Sequence, residues 1–459
     1  DTSADTVNVT LDALGGWTAL NYGLRELDVA NYETVNINAV NDTAGSVTTA
    51  EVATSTVTSA TSMVVTGDAN LTLGNITGGA MTSFDASALT GTLTADFDSS
   101  DKVVIKGSAT KANTFTLNAT LDNNDSVTGG SATTDSLSAT LTGATAVTGA
   151  LTISDIETLK LNTTGTNTLD FTNVTGATKV ELEANKQTIT GYPLATTIVS
   201  SDAATSVKIT AADSTGSADT LKLETQLIAN DRTNTVEATG IETLAITVTD
   251  STAAGDDTAT YALTKFEGTT VTATQKSTST DNVIVALGTL HKNVTTIDTS
   301  GTKVAQSASL ANATSAGTIK LGGGGVATVT GTAYADTFTI GKTGAIVHAI
   351  TGGDGTDSLT VTADTGFADP SGINVENVTV DVVPGNVDLV IADTKNFHAT
   401  TTAITLTGGN SLSSFSNITD GEELLAAVTS FDASTFGGDL HVAIADDNFD
   451  DTVTITGGA

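Results

Sequence analysis

The sequence predicts an all-β protein: an elongated parallel β-helix or related β-solenoid carrying a short calcium-type β-roll turn. Tandem β-sandwich modules are the alternative. Three observations lead there. Apolar and polar residues alternate with period two along the whole chain, as in DTVNVTL, TLKLNTT, ETLAITVTD, DTFTIG and DSLTVTAD, which is the signature of strands with one buried face. Gly, Asn, Asp and Ser punctuate these runs at short intervals, so turns are frequent. Threonine makes up about a fifth of the 459 residues while Pro numbers 3; β-branched Thr suits strands, and few of them are interrupted.

Aromatic residues are 4% of the chain, too few to anchor a series of sandwich cores. Val, Ile, Leu, Ala and Thr must therefore build thin layers, as stacked rungs do. At roughly 20 residues per rung and about 4.8 Å between rungs, such a body would be on the order of 100 Å long.

Taken in order, the chain opens on TSADTVNV, where Asp5 precedes the first alternating run. GGWTALNYGLREL, Gly15 to Leu27, is a candidate helix or turn. A short apolar-Glu-Thr-apolar strand start then recurs: YETVNI at Tyr32, IETLKL at Ile156, IETLAI at Ile241 and the variant VENVTV at Val375. A second repeat, MTSFDASALTG at Met81 and VTSFDASTFGG at Val428, has a weaker copy in VTTIDTSGTKV at Val294. The spacing is uneven, which argues against one strict period. DGEELLAAVTSF, Asp420 to Phe431, predicts one short helix with Asp420 as N-cap and acids in its first turn. The expected division is an irregular β-solenoid or tandem β modules over 1–320, a β-roll turn over 321–369, and a further β region with the short helix over 370–459. Both ends of the sequence look like the middle of a repeat, so it reads as a segment of a longer or processed polypeptide.

The chain has Lys+Arg 17 against Asp+Glu 52, a formal charge of −35. Such a surface repels nucleic acid and anionic lipid and attracts divalent cations. Arg25 and Arg232 are the sole arginines, so carboxylate or phosphate clamps are not expected. Cysteine is absent, which removes disulfides, thiolate metal sites and thiol nucleophiles. Acidity without cysteine suits a protein exported unfolded and folded outside the cell. No apolar run has the length of a membrane span.

The sharpest motif is TGGDGTDSLTVTAD, Thr351 to Asp364. Within it Gly352 to Thr360 spells G-G-x-G-x-D-x-U-x, with U a large apolar residue, the nonapeptide of a calcium-binding β-roll. Its glycines permit backbone angles closed to other residues and turn carbonyl oxygens into the loop. Calcium takes six to eight oxygens, so carbonyls with carboxylates suit it. The metal candidates are Asp357, the additional carboxylate Asp354, and Asp336 from GTAYADTFTIG. That earlier turn begins at Gly331, 21 residues before Gly352, close to the roughly 18 of a roll made from two nonapeptides. AIVHAI, Ala345 to Ile350, can supply the opposite strand. Asp5, Asp135, Asp219 and Asp451 begin degenerate copies of the form Asp-(Ser/Thr)-apolar. A turn Asp bonding its own backbone explains those without metal.

Catalytic patterns are missing. His291, His348, His398 and His441 form no H-E-x-x-H or close pair and read as surface or turn residues. LGGGGVATV at Leu321 has no Lys at P-loop spacing and reads as a turn before a strand. A polysaccharide-active β-helix enzyme would use acid pairs on an exposed face, but its usual aromatic and Arg subsites are scarce here. No enzyme is expected.

Together, the TSFDAS steps, the IETL strand starts and the GGDGTDSL turn resemble RTX-type bacterial surface-layer (S-layer) proteins of the Caulobacter type. The resemblance implies type I secretion with an uncleaved C-terminal signal. It also implies extracellular folding on Ca2+ and tiling into a cell-surface lattice held to lipopolysaccharide. It places ligands at Gly353, Gly355 and Asp357, with Asp336 from the preceding turn. One perfect nonapeptide stands here where the family carries a run, and no secretion tail is recognisable. The expected function is an extracellular, calcium-binding structural protein that self-assembles into a homo-oligomeric array, with lipopolysaccharide or a surface glycan as a further partner. An RTX adhesin or extracellular filament protein is the alternative.

Overall fold

The structure is a computed structural model. It describes residues 4–13, 24–41, 48–98, 102–118, 121–142, 150–164, 167–182, 187–201, 204–211, 216–227, 231–250, 257–276, 283–302, 306–322, 326–343, 348–363, 372–384, 388–390, 398–410, 413–416, 428–441 and 454–457. The chain forms two units, Asp1–Asp213 and Ser214–Ala459. Each is a parallel β-solenoid in which successive strands alternate between two sheets. Up to residue 382, the rungs thus add one strand to each sheet. The pairing is parallel throughout the described residues, which sets aside the antiparallel sandwich alternative. No α-helix occurs among them, and none is long and apolar enough to cross a membrane.

In the first unit, Ser83–Leu89 pairs with Ser62–Gly67 and Val104–Lys106 in one sheet. Leu93–Phe97 pairs with Asn70–Thr77 and Asn113–Leu117 in the other. The sheets face each other: Phe84 from one and Phe97 from the other meet edge to face with ring centroids 5.1 Å apart, a favoured aromatic geometry. Inward residues stack in register, as in Phe115–Leu137–Leu159–Val180–Ile198, all with no exposed surface.

The second unit carries a longer column. Leu221, Leu244, Val271, Ile297, Ile319, Phe338, Leu359, Val378, Ile404 and Phe431 lie in register on successive rungs. None is more than 1% exposed, and burial of each such side chain contributes about 1.5–3 kcal/mol. Beside this column on the outer face runs Thr220–Thr243–Thr270–Thr296–Thr318–Thr337–Ser358. A β-branched residue with a hydroxyl fits both the pleat and the solvent, which accounts for the Thr excess. A separate small sheet joins Asp388–Val390, Ser414–Ser416 and Asp439–His441.

The TSFDAS repeat is a bulged strand. The ladder slips opposite Asp85–Ala88, Asp298–Gly301 and Asp432–Thr435. In each, the Asp Oδ1 accepts the backbone N–H two residues on, from Ser87, Ser300 and Ser434. Extra residues are thereby absorbed without breaking the inward column.

Two helix expectations need correction. Of Gly15–Leu27, residues 15–23 lie outside the described residues, while Leu24–Leu27 belongs to the strand Leu24–Asp28. Of Asp420–Phe431, residues 420–427 lie outside them, while Ser430 and Phe431 open the strand Ser430–Phe436. Phe431 pairs with Ile404 there, and rung stacking overrides the helical pattern. The expected opposite strand of the roll turn is present as Ala349–Thr351; residues 345–347 lie outside the described ones.

Candidate metal centre

GTAYAD and GGDGTD form equivalent turns on consecutive rungs. They lead into Thr337–Thr343 and Ser358–Ala363, paired in register with Phe338 on Leu359. The two turns approach so closely that side chains are excluded. A Cβ on Gly353 would lie 1.9 Å from the Thr332 carbonyl oxygen, and one on Gly355 would lie 2.7 Å from the Ala335 nitrogen. Both glycines have φ 117°, a region L side chains rarely adopt.

The structure brings Asp336 and Asp357 together and buries both to 1% exposure. Asp354 stays on the exposed part of the turn. Asp336 is fully engaged by its own chain. Its Oδ1 accepts the Gly317 N–H at 2.5 Å and the Thr332 hydroxyl at 2.7 Å, and its Oδ2 accepts the Thr332 N–H at 2.5 Å. Asp357 differs. Its Oδ1 accepts the Asp336 N–H at 2.7 Å, but its Oδ2 is buried with no hydrogen-bond partner. That oxygen packs on Gly352, where a Cβ would lie 2.0 Å away.

Two related turns satisfy the corresponding oxygen and a third does not. Asn113 Oδ1 takes the Ser108 N–H at 2.7 Å. Asp135 Oδ2 takes the Gly130 N–H at 2.8 Å, while its Oδ1 takes the Asn113 N–H at 2.6 Å. Asp219 Oδ2 is buried without a partner, like that of Asp357. Asp451 lies outside the described residues. The Asp of the perfect nonapeptide thus lacks a bond that the Asn113, Asp135 and Asp336 turns possess, a lack it shares with Asp219.

Glu376, which the motif did not single out as a site residue, completes the arrangement. Its Oε2 accepts the Asp357 N–H at 2.7 Å. The same link joins Asp5 to Glu33, Asp135 to Glu157 and Asp219 to Glu242. The two kinds of strand start, Asp-(Ser/Thr) and Glu-Thr, are thus the lower and upper halves of one stacked unit. The signal was present in VENVTV, though only stacking shows what its Glu meets.

Burial pushes the Asp357 carboxyl above the usual carboxylate range. The Asp336 N–H opposes this, and the charges of Asp336 and Glu376 push it further up. A proton or a cation would each relieve the arrangement. Calcium suits oxygen donors including backbone carbonyls. The Gly352 carbonyl oxygen and Asp336 Oδ2 flank Gly331, each 2.3 Å from where its Cβ would be. Among the described residues no three His, Cys, Asp or Glu side chains are grouped to hold a metal. The fit therefore rests on the unpartnered Asp357 oxygen.

His348 departs from the surface position expected of it. It is 2% exposed, its Nδ1 accepts the Ala327 N–H at 3.0 Å, and burial lowers its pKa. It is a neutral core residue that completes a strand start.

No family model, curated protein or solved structure matches this chain.

Proposed function

We propose that this is an extracellular structural protein of the cell surface that folds on binding calcium and self-assembles into a surface layer. The observation that carries the reading is the buried, unpartnered Oδ2 of Asp357 within the one perfect nonapeptide. A divalent cation there supplies the missing partner and neutralises carboxylates that repel one another. With a formal charge of −35, self-repulsion opposes compaction where calcium is scarce. Binding free energy then becomes folding free energy. The parallel solenoid suits a scaffold role, and no catalytic step is assigned to it. Lattice formation, type I secretion and attachment to lipopolysaccharide or a surface glycan follow from the resemblance to RTX-type surface-layer proteins.

The test is direct. Purified protein is dialysed into calcium or EGTA, followed by circular dichroism, and imaged by electron microscopy. Calcium-dependent folding with ordered sheets supports the proposal. Unchanged folding and assembly in EGTA overturns the calcium mechanism. Folded monomers that bind a glycan favour an RTX-type adhesin.

A further inference from the structure

We infer that Glu376, together with Asp357, supplies the carboxylates of the cation site, whereas Asp336 and Asp354 do not ligate the ion through their side chains. The inference rests on the calcium reading and names the ligands of the same site.

Asp336 already accepts three hydrogen bonds from Gly317 and Thr332. Binding an ion through it would compete with donors that hold the turn together. Asp354 is exposed on the turn, unlike the buried Asp357. Glu376 stands one rung beyond Asp357, with Oε2 on the Asp357 N–H at 2.7 Å. Asp357 is 1% exposed, and its unpartnered Oδ2, packed on Gly352 of its own turn, points to a missing ligand. Two carboxylates completed by turn carbonyls and water form an ordinary calcium donor set. Two acidic groups also agree with the lack of a threefold cluster among the described residues.

The rung of Asp135 and Glu157 provides an internal control. Asp135 donates its N–H to Glu157 Oε2 at 2.8 Å, as Asp357 does to Glu376. Both Asp135 oxygens, however, are bonded to the backbone N–H groups of Asn113 and Gly130. Stacked Asp and Glu alone should therefore bind nothing. Asp219 on Glu242 shares the orphaned oxygen but lacks the glycine turn of GGDGTD, so the two features together should decide.

Calcium titration by calorimetry, with thermal melts, is run on the wild type and on Glu376→Gln, Asp354→Asn and Glu157→Gln. Gln retains an oxygen for the Asp357 N–H and removes the charge. Glu376→Gln should weaken calcium binding about tenfold or more and shrink the calcium-dependent rise in Tm. Asp354→Asn and Glu157→Gln should leave the affinity within about twofold. If Glu376→Gln does not fold, Glu376→Asp is measured instead, since it keeps the charge but withdraws the carboxylate by one methylene; its affinity should also fall. Wild-type affinity in the folded Glu376 variant overturns the ligand assignment alone. A wild type that binds no calcium overturns the calcium reading and the assignment together.

Discussion

The backbone N–H of Asp336 donates to Oδ1 of Asp357 at 2.7 Å, across one rung of the solenoid. Gly317 makes the same bond to Asp336, and Asp357 makes it to Glu376. Each carboxylate thus caps the strand start of the preceding rung, where a buried N–H would otherwise lack an acceptor. The ladder explains why acids sit at buried turns in a chain already dense with negative charge. It also leaves Asp357 Oδ2 without a bond.

Asp357→Asn should separate the structural bond from the ionic one. Asn can still accept the Asp336 N–H, and it removes a buried unpaired charge. In chelator the variant should melt at or above the wild-type temperature. In calcium it should melt lower, having lost the ion's stabilisation. Asp357→Ala should lose about 1–3 kcal/mol even in chelator, because the Asp336 N–H is orphaned. A wild-type response of Asp357→Asn to calcium would show that no ion uses this carboxylate.

Gly352→Ala should destabilise the second unit. The new methyl would lie 2.0 Å from Asp357 Oδ2, and relieving such overpacking costs about 1–3 kcal/mol. Gly79→Ala is the control, since a Cβ there meets nothing within 4 Å. Denaturant midpoints of the two variants should differ clearly.

Phe338→Ala should cost about 3–5 kcal/mol, because its ring lies wholly buried between Ile319 and Leu359 in the column. Thr339→Ala, one residue along on the outer face, should stay within about 0.5 kcal/mol. Equal effects in urea unfolding would mean that the inward column does not carry the stability.

Two carboxyls of the first unit should respond oppositely to pH. Burial raises the pKa of Asp125, against the bonds it receives from Val103 and Asp122, and the Asp122 charge adds to the rise. Its contribution to stability is therefore present below the unfolded value of 3.8 and lost as pH rises through the folded one. At Asp85 burial acts upward, but the two Ser87 bonds and Lys106 outweigh it and lower the pKa. Its contribution is present above 3.8 and lost as pH falls through the folded value. In melts from pH 3 to 7, Asp125→Asn should gain on the wild type with rising pH and Asp85→Asn should fall behind. Curves parallel to the wild type would contradict both assignments.

Much of the fold was legible because strand alternation is local. Leu221, Phe338 and Leu359 could be assigned inward from their own neighbours, since successive side chains of a strand take opposite faces. The glycines of GGDGTD were equally readable, because a tight turn restricts its own residues. Helical patterning misled at Leu24–Leu27 and Ser430–Phe431, where a pattern read along one segment is outweighed by pairing with strands from other rungs.

What the sequence by itself determined was a strand-rich chain with repeated acidic strand starts and one glycine-rich nonapeptide turn. Which acid meets which was decided by the tertiary structure. The linked pairs Asp5–Glu33, Asp135–Glu157, Asp219–Glu242 and Asp357–Glu376 are 28, 22, 23 and 19 residues apart. No single period marks them, because turns of different length and bulges such as that at Asp85 absorb the difference. Stacking restores the register through backbone hydrogen bonds between rungs. Only then do Asp357 and Glu376 become neighbours, and only then does a buried carboxylate oxygen emerge without a partner.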